Sequence, residues 1–337
     1  MKTSDLLKYR NVWLGLAMIG IVWYHSAYEF SLGFVNGIKP YVYGGVDICL
    51  FASGIGCYFS LNKDPDPYRF IRRRFSRIFP MYLCFMALWI PFMALTDEMT
   101  PAVALGNLFA VQSFTGLGHD FNWYICATLL FYFFAPYMKS AVDNTRSHFS
   151  PFLLLAALLL ITIPFWGSTA YIIFIVRIPI FYIGILFGRL CATRIALSRR
   201  SLLVLFLISI AGMLGLTQCV TYCHHHDASS LLWEYGLYWY PFILITPGFC
   251  AAVSFLSQQL SRNKYSKLLL LPLEKIGQYS YEVCLMHILV FDALEYLHLY
   301  NYRPKVFYFS IPCMAVGCVL LRFAVRFLQK LTKKQAV

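Results

Sequence analysis

The chain has 337 residues, of which 60% are hydrophobic and only 13% charged. A soluble domain carries about a quarter of its residues as charges and about half as apolar side chains. This composition therefore excludes an ordinary soluble protein and predicts an all-α polytopic membrane protein. The net charge of +13 does not imply nucleic acid, because the basic residues fall in short clusters between apolar runs rather than on one face.

The chain opens on "MKTSDLLKYRNVWLGLAMIGIVWYHSAYEF", with the basic start and apolar centre of a signal peptide. No small-x-small cleavage site follows, and bulky Trp23, Tyr24 and His25 stand where small residues belong, so the segment reads as a retained first span. A helical span needs about 20 mostly apolar residues. That rule predicts ten spans, at 11–30, 44–60, 78–96, 121–138, 151–167, 170–189, 201–220, 231–256, 277–298 and 306–328. Residues 101–114 form a shorter apolar piece, expected to be an interfacial or re-entrant helix. Strands are not expected, since a membrane barrel alternates with period two in segments of about ten residues. No soluble domain or long linker interrupts the pattern, so residues 1–337 are expected to form one membrane domain. With the N-terminus inside, all 28 Lys and Arg residues except Lys39, Arg303, Lys305 and Arg177 fall on the inner side. The positive-inside rule then places both termini in the cytosol.

Polar groups inside spans are expensive in lipid and mark candidate sites. His25 lies in the outer half of the first span and Asp47 just inside the outer end of the second, at similar depth. A carboxylate beside an imidazole orients it as a general base requires; a buried histidine bonded to a neighbouring carbonyl fits the spacing equally well. Arg177 sits within the sixth span and needs an anion, either a ligand or a structural partner such as Glu234 or Asp47. Trp123, Trp233, Trp239 and their tyrosine neighbours fit an aromatic belt, with some placed to stack on a sugar. His287, in the ninth span, reads as core packing. Arg72, Arg73, Arg74 and Arg77 crowd the inner end of the third span, and Arg74 and Arg77 share a helix face. His25 lies 15 residues beyond Arg10, about 20 Å along a helix. A substrate with phosphates at one end and a reactive group on a long arm spans that distance, as acyl-coenzyme A does. Guanidinium forks suit phosphate. Cysteines fall singly in apolar runs; Cys219 and Cys223 near "HHHD" (224–227) read as part of a solvated outer loop, and no metal site is expected.

Several segments resemble one family in order. The first span ends in "LGLAMIGIVWYH" (His25), and the second opens with "GVDICLFASG" (Gly45, Val46, Asp47, Ser53, Gly54). A basic loop, "RRRFSRIFP", follows, with Arg74 and Arg77 at Arg-x-x-Arg spacing. Then come "NWYICATLLFYFFAP" (Trp123, Tyr132, Pro136) and "IGQYSYEVCLMHILV" (Gly277, Ser280, Tyr281, His287). The chain resembles the acyltransferase-3 family of integral membrane acyltransferases, which mostly O-acetylate sugars of bacterial envelope polysaccharides. The resemblance implies ten spans, a cytosolic acyl-CoA donor, an acceptor on the far side, a functional His25, and donor-binding arginines at Arg74 and Arg77. Two positions depart from the family pattern: Leu14 replaces an arginine eleven residues before the histidine, and Leu129 and Leu130 replace an acidic pair. No hydrolase domain follows the last span, so any second transfer step is expected to fall to another protein.

The expected function is therefore O-acyl, chiefly O-acetyl, transfer from acyl-CoA (acetyl-CoA as co-substrate, with no bound cofactor) to an envelope or lipid-linked sugar at the cell's inner membrane. His25 oriented by Asp47 would be the base, Arg74 and Arg77 with Arg73 would hold the donor, and Trp123 and Arg177 would meet the acceptor. The alternative is a glycan or lipid carrier without chemistry, for which paired repeats are the usual signature; none is visible.

Overall fold

The computed structural model describes residues 3–96, 99–115, 122–144, 149–193, 197–300 and 302–335. Lys2, Arg146 and Arg194, assigned above to the inner side, lie outside the described residues, as does residue 121 at the start of the fourth predicted span. Every regular element among the described residues is helical.

Seven segments are long and apolar enough to cross a membrane: Gly33–Lys63, Pro67–Leu95, Trp123–Asp143, Thr169–Ala192, Arg199–His225, Phe242–Leu260 and Pro304–Lys330. The other three predicted spans are helical but shorter: Arg10–His25 has 16 residues, Ser150–Leu160 has 11 and Ser280–Tyr296 has 17. Sixteen residues rise about 24 Å, less than the hydrocarbon thickness of about 30 Å. The Arg10–His25 helix stops because the backbone turns extended at Ser26, whose hydroxyl donates to the Trp23 carbonyl. The predicted span 231–256 is also divided. A short helix, Ser229–Glu234, is followed by Gly236 at φ +72 and by Pro241, and only then does Phe242–Leu260 begin.

The outer helices carry the membrane signature. Arg199–His225 presents Leu203, Val204, Phe206, Leu207 and Leu214 to the outside, and only 22% of its apolar window is buried, against 72% for the segment ending at Lys63. Such an apolar exterior is intolerable in water and ordinary in lipid. The protein is a multi-pass membrane protein. Its core gathers Trp13, Phe51, Phe131, Phe181 and Tyr182 from the Arg10–His25, Gly45–Lys63, Trp123–Asp143 and Ile178–Ala192 helices. Backbones approach closely where Gly54 meets Gly184. A Cβ at Gly54 would stand 2.2 Å from the Phe181 carbonyl oxygen, and one at Gly184 would stand 2.3 Å from that of Phe51. Without a hydrophobic drive between helices in lipid, such small-residue contacts are what draw helices together.

Two local features position the site. The basic run is helix rather than loop: Pro67 at the first position and the Asp66 carboxylate, accepting from the Arg69 N–H at 2.9 Å, start the Pro67–Leu95 helix ahead of all four arginines. The piece at 101–114 is a helix of eight residues, Pro101–Leu108, followed by one 3-10 turn. It is fixed to the Pro67–Leu95 helix by the Tyr82 hydroxyl, which donates to the Asn107 carbonyl and accepts from Asn122 Nδ2 at 2.5 Å.

Candidate functional site

Each helix around the centre contributes a single stripe at helical spacing. Arg10, Leu14, Met18, Ile21 and His25 form one stripe; Val46, Cys49, Ser53, Gly56 and Ser60 form another. Between these stripes lie two cavities, of about 990 Å³ and about 660 Å³.

The smaller cavity is lined by arginines. Arg10, Arg73, Arg74, Arg77 and Arg322 converge there from three helices. Arg74 is buried: it donates to the Gly56 carbonyl at 2.5 Å and stacks near the Phe70 and Tyr132 rings, 5.2 and 5.3 Å from their centroids. The Tyr132 hydroxyl is in turn 3.0 Å from that of Ser53. Arg77 is exposed to the cavity and has no carboxylate partner among the described residues. Arg73 hydrogen-bonds Asp64, and Arg69 pairs with the same carboxylate at 3.1 Å. The bond from Arg73 holds the Asp64 carboxyl below the usual carboxylate range. Arg72, exposed, does not line the cavity. Arg10 does, with its Nε buried and unbonded, directly below Leu14 on the same stripe.

The larger cavity holds His25, at the end of its helix, with His287 beside it; the two ring centroids are 5.1 Å apart. Trp89, Phe92, Trp123, Tyr124 and Tyr296 supply aromatic walls, and Asp292 and Glu295 line it as well. Met18, Cys49, Tyr124 and Cys284 border both cavities and form the partition between them. The one helix Arg10–His25 thus carries an arginine in one cavity and a histidine in the other, about 22 Å apart.

No hydrogen bond or ion pair joins Asp47 to His25 among the described residues. Asp47 points off the stripe that faces the cavities, one residue from Val46, and pairs with Arg177 at 3.6 Å; both side chains are 2% exposed. Arg177 does not line either cavity. It sits where the predicted span 170–189 breaks into Thr169–Ile175 and Ile178–Ala192, next to Pro179. Its own N–H bonds the Phe174 carbonyl at 3.1 Å, and its guanidinium takes up the carbonyl of Ile173. The guanidinium lies between two indoles, 4.8 Å from Trp123 and 4.9 Å from Trp239. A chain of contacts therefore runs from Asp47 through Arg177 to Trp123 in the wall of the larger cavity. Breaking a buried pair leaves an uncompensated charge and costs about 3–5 kcal/mol. Asp47→Asn is expected to lower the thermal unfolding midpoint of the protein in lipid nanodiscs markedly, and an unchanged midpoint would refute the structural role.

The acyltransferase domain that defines one family of membrane enzymes matches residues 11–327. The chain belongs to the acyltransferase-3 family. No curated protein and no solved structure shows a significant match. Family membership makes the protein a membrane acyltransferase, and most of the landmarks scattered along its sequence meet in space: His25, Val46, Ser53, Arg74, Arg77, Trp123, Tyr132, Gly277, Ser280, Tyr281 and His287 line one cavity or the other, while Gly45, Asp47, Gly54 and Pro136 line neither.

Two residues of this acyltransferase escaped the sequence reading. Arg322, one of the basic residues that the charge pattern places on the inner side, donates to Glu282 at 2.5 Å and to the Gln278 carbonyl at 2.7 Å. Its guanidinium lies 3.5 Å from the centroid of the Tyr279 ring. It thereby joins the end of the Leu271–Gln278 helix to the start of Ser280–Tyr296, splitting the predicted span 277–298 at Tyr279. Glu282, 4% exposed within an apolar run, was the available signal. His287 is the second: it is buried, as the core reading expects, and it also lines the larger cavity. Among the described residues no group of three His, Cys, Asp or Glu side chains is placed to hold a metal.

Proposed function

We propose that this acyltransferase moves an acyl group, chiefly acetyl, from cytosolic acyl-CoA to a hydroxyl of an envelope or lipid-linked sugar at the cell's inner membrane. The observation that carries the reading is the arrangement along one helix: a cationic cavity at the Arg10 end, a histidine cavity at the His25 end, and a four-residue partition between them. The arginine cavity faces the cytosol, in keeping with the positive-inside rule, and both chain termini lie on that side. Arg74 and Arg77, with Arg73 and Arg10, hold the donor's phosphates; Arg10 supplies from one turn lower the charge that Leu14 lacks. The pantetheine arm passes the partition and delivers the thioester carbonyl to the larger cavity.

There His25 removes the proton of the acceptor hydroxyl as its oxygen attacks that carbonyl. The new C–O bond forms, the C–S bond breaks, and the departing thiolate takes the proton from the imidazolium. The aromatic walls suit the apolar faces of a sugar, with Trp123 held in place by Arg177. The protein reconstituted with [14C]acetyl-CoA and an envelope glycolipid extract is expected to release coenzyme A only when the extract is present, with label entering glycan. Movement of unmodified glycan without thioester loss would instead establish a carrier.

A further inference from the structure

We infer that His287 is the positioning residue for His25, the part that the sequence assigns to Asp47; the inference rests on the acyl-transfer reading above. His287 is 3% exposed, on the Ser280–Tyr296 helix. Its Nδ1 lies 2.9 Å from the Val283 carbonyl oxygen. A carbonyl only accepts, so Nδ1 carries the hydrogen and, in the neutral ring, Nε2 presents a bare lone pair. That Nε2 is buried and has no hydrogen-bond partner among the described residues, an arrangement a folded protein keeps at a cost unless something else fills it. The Phe291 ring stands perpendicular to the imidazole, with centroids 6.3 Å apart.

What stands next to His287 is His25, at a centroid separation of 5.1 Å and a tilt of 55°. Two imidazoles joined by an N–H···N bond of about 2.9 Å have centroids about 5 Å apart, so the observed spacing is that of such a pair with the rings not yet aligned. His25 is free to align: it ends its helix, is exposed to the cavity, and is bonded to no carboxylate among the described residues. Once aligned, one His25 nitrogen donates to His287 Nε2. The tautomer is thereby fixed, and the other His25 nitrogen is left bare toward the acceptor hydroxyl. When His25 takes that hydroxyl's proton, the same bond steadies the imidazolium until the thiolate removes it. Two neutral imidazoles do this without placing a permanent anion beside the attacking oxygen.

The test compares His287→Met with His287→Gln, whose amide oxygen reaches the position of Nε2. Transfer from [14C]acetyl-CoA into glycolipid extract is measured in membrane vesicles carrying the full-length protein. His287→Met is expected to lower kcat about 100-fold with the KM for acetyl-CoA within about twofold of wild type, and His287→Gln to recover at least about tenfold of that loss. Wild-type rates in both variants, with His25→Ala inactive, overturn the role of His287 and leave acyl transfer standing. Absence of transfer by the wild-type protein overturns both readings. Should either variant fail to fold, the nitrogen-15 spectrum of histidine-labelled wild type decides: the unprotonated Nε2 signal of His287 is expected to shift in His25→Ala, and an unshifted signal rejects the pair.

Discussion

Replacing His25 with alanine is expected to reduce acyl transfer by about 10²–10⁴-fold, the range over which a positioned general base contributes, while acetyl-CoA binding is retained. The separation of effects follows from position. His25 lies in the larger cavity, across the partition from every arginine that lines the smaller one, and its side chain is exposed, so its removal leaves no hole in the core. The decisive measurement is label entering glycan together with coenzyme A release in the reconstituted protein. Transfer above about a tenth of the wild-type rate would remove His25 from the base role.

The second large effect concerns the donor. Arg77→Gln is expected to raise the KM for acetyl-CoA about tenfold or more, since a hydrogen bond to a charged group contributes about 1.5–3 kcal/mol, with thermal stability unchanged because Arg77 is exposed. Arg74→Gln is expected to raise the same KM and also to lower stability, because Arg74 is buried between two rings and bonded to the Gly56 carbonyl. Arg72→Gln, outside the cavity, serves as the control for bulk charge. If all three variants shift the KM alike, the arginines attract the donor only through the overall field of the cluster, and the specific pair is rejected.

Much of this was legible because lipid makes charge conspicuous. His25, the arginine cluster and Arg177 stand out in an apolar sequence, and the stripes that line the cavities follow the helical period from Val46 to Ser60. The partner of Asp47 was not legible in the same way. Depth along the helix placed it level with His25, but depth says nothing of azimuth; one step from Val46 turns a side chain by about 100°, here toward Arg177. Hydropathy continues through the backbone breaks at Tyr279 and at Val176–Arg177, the second lying inside a segment, Thr169–Ala192, that still matches the predicted 170–189 closely, because apolar composition is indifferent to where hydrogen bonding stops. Arg322 and Glu282 lie 40 residues apart in sequence, and only the fold brings the last helix past the start of the one before it.

The partition of Met18, Cys49, Tyr124 and Cys284 has a consequence for the cell as a whole. If the two cavities open toward opposite faces, these four side chains are what separates the cytosol from the space beyond, and they stand against the electrochemical gradient on which the membrane's energy supply depends. A continuous thread of water would short that gradient. None of the four carries a formal charge through which an ion could be handed across, so the seal is one of volume and dryness. In the proposed reaction the donor's pantetheine arm fills the gap as it threads through, and the side chains close again behind the departing thiol.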